Sequence, residues 1–178
     1  MKMNSSKISL RPFELSDVDD FMLMVGDDRV TQFTRWNTFT SKEDALIYLK
    51  NVCIVHPWCR SICLDDRSVG LILVRPESGD DRCKAEIGYA LVADYWGQGI
   101  TTIALKMALS IVFKDMPYLV RLQALVDLEN KASQRVVEKV GFIKEGLLRK
   151  YAFNRGVIRD MIFYSFLSTD RFHIRLIM

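Results

Sequence analysis

The sequence predicts an α/β (α+β) protein, a single domain in which helices flank a mixed, mostly antiparallel sheet. Segments that alternate apolar and polar residues are typical of half-buried strands, and segments of helical periodicity stand between them. The chain has 178 residues, enough for one sizeable core, and no low-complexity linker divides it. We therefore expect one domain over residues 1–178, with its core at about residues 8–167.

The first fifty residues predict a strand and two helices. Residues 8–13 alternate apolar and polar side chains, so they predict a strand that ends near Pro12. We expect Ser16 to be the N-cap of the first helix, which Gly26 ends, and Ser41 to be the N-cap of the second. Both helices carry an apolar stripe that would face the core.

Between these helices, residues 31–39 form a polar loop that carries three aromatic rings. Rings in loops often do no more than fill gaps in the packing. They also suit contacts with a substrate, and we take Trp36 and Phe39 as candidate substrate-binding residues. The sequence alone is compatible with both roles.

From residue 58 onward the pattern changes to a period of two, which predicts three strands in succession. They cover residues 58–64, 68–74 and 83–92, with a turn at residues 65–67 and a longer polar loop at residues 76–81. Strands that follow one another through short polar turns are expected to pair antiparallel.

The rest of the chain predicts two helices and three strands. Residues 100–113 are apolar on nearly every side, as expected of a helix buried against a sheet. A second helix, residues 131–140, ends at Gly141. The predicted strands are residues 119–126, 143–151 and 158–167.

Composition excludes several classes of function. The net charge is +3 and no basic block occurs, so we expect no nucleic-acid partner. The four cysteines form no C-x-x-C pair and only two histidines are present, so we expect no metal site and read the cysteines as reduced thiols. No apolar run approaches membrane-spanning length, and the first residues lack an apolar secretory core. These features favour a cytoplasmic protein.

A glycine-containing loop, residues 95–102, leads from a predicted strand into the buried helix. Gly97 and Gly99 would let backbone N–H groups approach a ligand, and the helix start adds free N–H donors and partial positive charge. Thr101 and Thr102 can add hydroxyl donors. The loop therefore predicts an anion site suited to a pyrophosphate, although by itself it is also compatible with a purely structural turn.

Four segments together resemble a known family. Residues 130–142 read Asn-Lys-Ala-Ser-Gln-Arg-Val-Val-Glu-Lys-Val-Gly-Phe, which resembles the Asn-x-x-Ser…Glu-Lys-x-Gly-Phe pattern of GNAT-type (general N-acetyltransferase) folds. Residues 96–99, Trp-Gly-Gln-Gly, resemble the matching acetyl-CoA pyrophosphate loop. Residues 10–19 and 85–89 resemble one branch, the ribosomal-protein N-terminal alanine/serine acetyltransferases. The resemblance covers about residues 8–167.

The resemblance implies an acyl-CoA N-acyltransferase-like fold, in which residues 86–92 splay away from residues 119–126. Acetyl-CoA, the co-substrate, would lie in the resulting cleft without any metal. Its pantetheine arm would pair with the backbone near Leu91 and Val92. The implied cofactor-binding residues are Leu91, Val92, Trp96, Gly97, Gln98, Gly99, Ile100, Thr101, Thr102, Asn130, Ser133 and Lys139.

The chemistry of such a transfer requires a base for the amine, a donor for the carbonyl oxygen and an acid for the leaving thiolate. Glu86 is the first candidate for the base and also for binding the acceptor, although a structural hydrogen bond would equally explain it. Asp160 is the second candidate base. Ser133 is the first candidate acid and Tyr164 an alternative. A backbone N–H near Val92 would polarise the carbonyl.

The resemblance leaves the amine acceptor open. A protein or peptide N-terminal amine is the first hypothesis, and a small amine such as a polyamine is the second. Thr101 stands where the family has a small residue, and Ala152 lies where some members have an acid. The third hypothesis is therefore a catalytically weakened acyl-CoA-binding module. Both a monomer and a homodimer are compatible with the sequence.

Overall fold

The computed structural model describes residues 5–170, which form one seven-stranded sheet with helices on both faces. The strand order across the sheet is β1-β2-β3-β4-β5-β7-β6. The strands are β1 Ile8–Arg11, β2 Cys59–Leu64, β3 Arg67–Pro76, β4 Lys84–Leu91, β5 Arg121–Asp127, β6 Ile143–Asn154 and β7 Val157–Leu167. The helices are α1 Val18–Val25, α2 Asp28–Thr31, α3 Lys42–Tyr48, α4 Ile100–Asp115 and α5 Lys131–Val140.

The predicted order of elements is confirmed, with two differences near the N-terminus. Ser16 is not the N-cap of the first helix, because it lies inside a short 3₁₀ turn, Leu15–Asp17, that precedes α1. The second difference is the short helix α2, which has too few residues to show a periodic pattern. The expected cap of α3 is confirmed, since Ser41 Oγ accepts a hydrogen bond from the Asp44 N–H at 3.1 Å.

The sheet consists of two antiparallel parts joined by one short parallel contact. Strands β1 to β4 pair antiparallel, and so do β5, β7 and β6. Between the two parts, Lys84–Glu86 of β4 pairs with Arg121–Gln123 of β5. Both strands continue beyond this contact without pairing to each other, β4 to Leu91 and β5 to Asp127. The predicted splay is therefore confirmed, and we call the space between them the gap.

Side chains of β3 and β4 alternate between two hydrophobic cores, one on each face of the sheet. Ile72 and Ile87 pack with α4 and α5 in the larger core, on what we call the α4/α5 face. Leu73 and Ala90 pack with residues of α1 and α3 in the smaller core, on the α1/α3 face. Neighbouring residues of a strand point to opposite faces. The side chains of β4 at the gap therefore serve two different surfaces.

Two features bear on residues 5–170, the part of the chain that the structure describes. None of the helices in this range is long and apolar enough to cross a membrane. Within the same range, no three His, Cys, Asp or Glu side chains gather in a way that could hold a metal ion.

Candidate active site

A cleft of about 650 Å³ lies where β4 and β5 separate. Residues of both faces of the sheet line it: Glu86 and Leu73 belong to the α1/α3 face, and Tyr89 and Ser133 to the α4/α5 face. The cleft therefore passes through the sheet at the gap. This geometry allows two ligands to meet while each approaches from its own side.

The glycine loop forms one end of the cleft on the α4/α5 face. Gly97 and Gly99 have positive φ angles of 75° and 82°, and no heavy atom lies within 4 Å of the position a Cβ would take at either. Gly99 is the N-cap of α4, and no side chain caps the first-turn N–H groups of this helix. Unpaired N–H groups at the positive end of a helix dipole attract anions. The loop thus has the geometry of an anion site.

The side chains of this loop mainly stabilise its conformation, and they contribute less than its backbone to the surface of the cleft. The Trp96 indole N–H donates to the Leu91 carbonyl at 2.9 Å, which ties the loop to the end of β4. Gln98 is exposed and does not line the cleft, and its amide donates to the Asp94 carbonyl at 3.3 Å. The Ile100 side chain is buried in the core. Any contact of this loop with a ligand therefore relies mainly on its backbone.

Two cations border the same end of the cleft. Arg135 and Lys139 lie four residues apart on α5, so they occupy one face of the helix. Both are exposed, and both line the cleft together with Thr101 and Thr102. The α4 N-terminus and these two side chains make the cleft positive at this end. Such an end suits a ligand with several phosphates.

A hydrogen-bonded pair of hydroxyl groups occupies the α4/α5 side of the gap. Asn130, the N-cap of α5, accepts a hydrogen bond from the Ser133 N–H at 3.0 Å. Ser133 Oγ lies 2.6 Å from the Tyr89 hydroxyl, which also donates to the Ser133 carbonyl at 3.1 Å. Burial raises the pKa of Tyr89, although the hydrogen bond with Ser133 opposes the shift. The phenol therefore keeps its proton at neutral pH and can supply hydrogen bonds.

Sequence reasoning gave Tyr89 no role. The signal was present in the segment that reads Glu-Ile-Gly-Tyr, because residues 86 and 89 of one strand must point to opposite faces. With Glu86 assigned to the acceptor side, Tyr89 had to face the other side. The identity of its partner, Ser133, depends on how α5 packs against the sheet.

The expected backbone donor near Val92 requires a correction. The Val92 N–H already donates to the Val69 carbonyl of the neighbouring segment at 2.9 Å. In an antiparallel pair, hydrogen bonding toward the partner strand alternates from residue to residue. The backbone groups of Tyr89 and Leu91 are therefore the ones that point into the gap. The Leu91 carbonyl already accepts the Trp96 indole N–H, so the available partners for a chain-like ligand are the N–H and carbonyl of Tyr89 and the N–H of Leu91, and either N–H could bind a carbonyl oxygen.

Glu86 lies on the opposite side of the gap from Tyr89. Its carboxylate is partly buried and forms an ion pair with Arg75, the residue across from it on β3, at 3.4 Å. Both residues line the cleft. The separation exceeds that of a well-formed charge-assisted hydrogen bond, so the carboxylate retains capacity for another partner.

Three residues that the sequence suggested for the site lie elsewhere. Asp160 does not line the cleft, because its Oδ1 accepts the Lys150 N–H at 2.7 Å in an irregular part of β6. Phe39 packs edge-on against Tyr48 in the smaller core. Tyr164 is fully buried and donates to Glu138 at 2.9 Å. Trp36, in contrast, lines the cleft as expected.

The β6–β7 hairpin closes the α1/α3 side of the cleft. Its Arg155 forms an ion pair with Asp28 of α2 at 3.3 Å, and the Asn154 amide donates to the Gln32 carbonyl at 3.3 Å. The Asn154 Oδ1 is buried and has no hydrogen-bond partner within residues 5–170, and this residue lines the cleft. A buried carbonyl oxygen without a partner costs free energy until a ligand donates to it.

Comparisons with known proteins agree with this geometry. Residues 7–143 match the model of a family described as acetyltransferase (GNAT) domain. A curated relative, "Uncharacterized N-acetyltransferase p20" of Bacillus licheniformis, is 28% identical over 175 residues, which cover 93% of this chain and 96% of that protein. The spermidine N(1)-acetyltransferase of Escherichia coli K12 is 26% identical over 164 residues, 89% of this chain and 85% of that protein.

Solved structures that superpose on this chain are also acetyltransferases. A GNAT-family acetyltransferase from Bacillus anthracis superposes with a TM-score of 0.82 at 25% identity, covering 94% of this chain and 98% of that one. Mycobacterium smegmatis RimJ, in complex with CoA-disulfide, gives 0.78 at 26% identity over 90% and 82%. The ribosomal-protein-S5-alanine acetyltransferase of Vibrio fischeri shares the fold, at 0.80 and 20% identity over 96% and 97%.

The family match covers most of the chain, and the resemblance drawn from the sequence motifs is confirmed. The chain belongs to the acetyltransferase (GNAT) family of N-acetyltransferases.

Proposed function

We propose that this N-acetyltransferase moves an acetyl group from acetyl-CoA to the N-terminal amine of a protein or peptide. The observation that carries the proposal is the gap in the sheet, with Glu86 on one face and the Tyr89–Ser133 pair on the other. One face then supplies the base for the amine, and the other supplies the hydroxyl groups for the leaving thiolate; amide formation from a thioester requires both.

The proposed acetyl-CoA site lies on the α4/α5 face. The residues there fit the group, because the first-turn N–H groups of α4 are uncapped and Gly99 leaves open space above them. Arg135 and Lys139 would neutralise phosphate charge. The backbone of Tyr89 and Leu91 would pair with the pantetheine amides in the manner of an added strand. Bound acetyl-CoA supplies the acetyl group as an activated thioester.

The amine would reach the gap from the α1/α3 face. Glu86 accepts a proton from the amine, directly or through one water, so that the nitrogen lone pair becomes available. The C–N bond then forms as the C–S bond breaks. A backbone N–H of Tyr89 or Leu91 stabilises the negative charge that develops on the carbonyl oxygen.

The leaving sulfur would receive its proton on the α4/α5 face. In this proposal the Ser133 hydroxyl donates a hydrogen bond to the leaving sulfur, and Tyr89, 2.6 Å away, supports Ser133; the second proton that the amine nitrogen loses as the amide forms ends on the sulfur. The raised pKa of Tyr89 suits a hydrogen-bonding partner that keeps its own proton, because the phenol remains protonated over the physiological range. Asp160 has no part in the proposed mechanism, since it lies outside the cleft.

The charges of the cleft favour a peptide over a polyamine. Two carboxylates line the cleft within residues 5–170: Glu86, which already pairs with Arg75, and Asp127, which lies 3.7 Å from Arg159. A polyamine carries several positive charges and would need more carboxylates than this. It remains the second candidate, since the spermidine N(1)-acetyltransferase of Escherichia coli is a relative over most of its length.

A turnover assay tests the proposed function. The protein is incubated with acetyl-CoA and, in turn, with peptides that have a free N-terminus, with spermidine and with small amino compounds, and the release of free thiol is measured. We expect turnover with a peptide and none with the same peptide after N-terminal acetylation. Turnover with spermidine alone would transfer the assignment to the polyamine class. Binding of acetyl-CoA without any turnover across the panel would identify an acyl-CoA-binding module.

A further inference from the structure

The α1/α3 side of the cleft carries an excess of positive charge that the transfer chemistry does not require. Arg35, in the loop between α2 and α3, is exposed and lines the cleft, and it forms no hydrogen bond or ion pair with another residue of the described range 5–170. Arg75 also lines the cleft, about half of its side chain is exposed, and Glu86 is its partner at 3.4 Å. Two guanidinium groups thus line this side of the cleft, and Glu86 is paired with only one of them.

Asp127, the other carboxylate among the residues that line the cleft, does not balance these charges. Its side chain is only 4% exposed, and its Oδ2 lies 3.7 Å from Arg159 Nε. Its Oδ1 accepts the Glu129 N–H at 2.8 Å. Since Arg159 already offsets its charge, Asp127 leaves the excess near Arg35 and Arg75 unchanged.

The excess is also separate from the proposed phosphate site. Arg75 shares the parity of Leu71 and Leu73 on β3, so its side chain lies on the α1/α3 face. Arg35 precedes Trp36, which packs against the smaller core on that same face. The cations assigned to the phosphates belong to α5, on the opposite face of the sheet. The two pairs of cations therefore serve different ligands.

We infer that the acceptor carries a carboxylate close to its reactive amine, as a peptide with an acidic residue directly after the N-terminal residue does. Arg35 and Arg75 would bind this carboxylate while Glu86 faces the amine. A guanidinium group can bind a carboxylate through two parallel N–H donors, which fixes orientation as well as charge. The inference deepens the proposed function and rests on it, because it names the class of peptide.

The same two cations distinguish a peptide from a polyamine. A polyamine would be repelled by Arg35 and Arg75, whereas a peptide carboxylate would be attracted to both. The charge on this side of the cleft therefore favours an acidic peptide.

The experiment compares three peptides that differ only in the second residue: aspartate, asparagine or lysine. kcat/KM is measured for each by thiol release at saturating acetyl-CoA. We expect the aspartate peptide to exceed the asparagine peptide by about tenfold, and the lysine peptide to be poorest, because a guanidinium group binds a carboxylate more strongly than a neutral amide and repels an ammonium. The preference should shrink as salt increases.

Two variants assign the preference to residues. Arg35→Gln should reduce the ratio of kcat/KM between the aspartate and asparagine peptides, because one of the two guanidinium groups proposed to bind the carboxylate is lost. Arg75→Gln should also reduce the ratio of kcat/KM between the aspartate and asparagine peptides. For this variant the individual rates are not informative, because Arg75 contacts Glu86. Arg82→Gln is the matched control, since Arg82 is exposed, donates to the Gly79 carbonyl and lies outside the cleft.

The outcomes separate this inference from the function on which it rests. Equal turnover of the aspartate and asparagine peptides by the wild-type protein would overturn the inference and leave peptide acetylation intact. A preference that survives in both Arg35→Gln and Arg75→Gln would overturn the assignment to these residues. No turnover of any peptide, together with turnover of spermidine, would overturn the proposed function itself.

Discussion

Glu86 and Tyr89 are three residues apart on one strand, and this odd spacing places their side chains on opposite faces of the sheet. Glu86 faces the α1/α3 side with Arg75, and Tyr89 faces α5 with Ser133. The arrangement separates a proton acceptor from a proton donor by the thickness of one strand. If the Glu86 carboxylate were in direct contact with the two hydroxyl groups, these groups would form hydrogen bonds with one another.

Glu86→Gln tests the acceptor of the amine proton. We expect kcat to fall by about 10²–10⁴, the range for loss of a general base, while the affinity for acetyl-CoA stays nearly unchanged. Turnover is measured by thiol release and affinity by calorimetry. An unchanged kcat would remove Glu86 from the mechanism. Glu77→Gln is a control carboxylate outside the cleft, and we expect it to keep full activity.

The hydroxyl pair gives a second prediction at this scale. Ser133→Ala should lower kcat by about 10²-fold, and Tyr89→Phe by about tenfold, because the first removes the donor and the second removes the group that supports it. The double variant should be little worse than Ser133→Ala alone, since the two act in series. Tyr118→Phe, at a half-exposed ring outside the cleft, is the matched control. Strictly additive effects of the two substitutions would contradict the proposal that Tyr89 acts through Ser133.

At the scale of elements, α4 and the loop before it form a unit that would bind a ligand mainly through its backbone N–H groups. Gly99 adopts a positive φ of 82° at the helix N-cap, and the space above it is open. Trp96 fixes the loop to β4 through its indole N–H. A side chain at residue 99 would both strain this conformation and fill the space where a phosphate would approach.

Gly99→Val should abolish detectable binding of acetyl-CoA by calorimetry. Gly79→Val provides a matched control, because Gly79 also has a positive φ, of 62°, and open space around it, but lies in a loop outside the cleft. Both variants should suffer similar backbone strain, and only the first should lose binding. Equal binding by the two variants would contradict the proposed phosphate site.

The junction between β1 and α1 depends on a partly buried ion pair. Arg11 binds Asp17 through two hydrogen bonds of 2.7 Å, and the Asp17 side chain is only 7% exposed. Burial alone would raise the pKa of Asp17, but hydrogen bonds from Arg11 and from the Glu14 backbone outweigh it and hold the pKa below its ordinary value. The charged form of Asp17 therefore stabilises the folded protein.

Asp17→Asn should lower the free energy of unfolding at pH 7 by about 2 kcal/mol, since it removes the negative charge that pairs with Arg11. The folded-state pKa is lowered, so the contribution of Asp17 is full above its ordinary pKa of about 4 and is lost as the pH falls through the folded value. The difference between variant and wild type should thus shrink below about pH 4. Urea unfolding at pH 7, 5 and 3 measures it, and a difference independent of pH would contradict this account.

At the scale of the whole molecule, the sheet has its shortest strand pairing at its middle. Its two antiparallel parts share only the short parallel contact between β4 and β5, which covers Lys84–Glu86 and Arg121–Gln123. On the α1/α3 side the hairpin residue Arg155 connects to Asp28. A ligand that contacts α4, β4 and α5 together would bind both parts, and so it would oppose their separation.

Acetyl-CoA should therefore raise the thermal unfolding temperature. At about one hundred times its Kd, a ligand stabilises the folded state by about 2.7 kcal/mol, which in a domain of this size corresponds to a rise of roughly 5–11 °C. Differential scanning fluorimetry measures the rise, which Glu86→Gln should retain and Gly99→Val should lose. A rise that persists in Gly99→Val would place the binding site elsewhere.

Much of the fold followed from local patterns. The strands and long helices were predicted within a few residues of their bounds, because alternation and helical periodicity are local consequences of burial. The short helix α2 and the exact start of α1 were missed, since one turn of helix depends on its cap and its neighbours more than on periodicity. The cap at Ser41 was predicted because its bonding partner is three residues away.

The residues of the candidate site likewise fall into those that could be predicted from the sequence and those that could not. Gly97, Gly99 and the position of Glu86 on a strand could be read from the sequence, because each depends on neighbours along the chain. Sequence placed Asp160 near the site through the general location of the last strands. The structure instead turns its carboxylate to the Lys150 N–H, outside the cleft.

The sequence by itself determined the fold class and the family and suggested the phosphate site proposed for the glycine loop, because these follow from local patterns and from the order of motifs along the chain. Tertiary structure decided which residues meet. It joined Tyr89 to Ser133, set Arg35 and Arg75 on one face, and left the N–H of Val92 occupied by β3. Such contacts join residues distant in the chain, and they depend on how helices and strands pack, which no local pattern encodes.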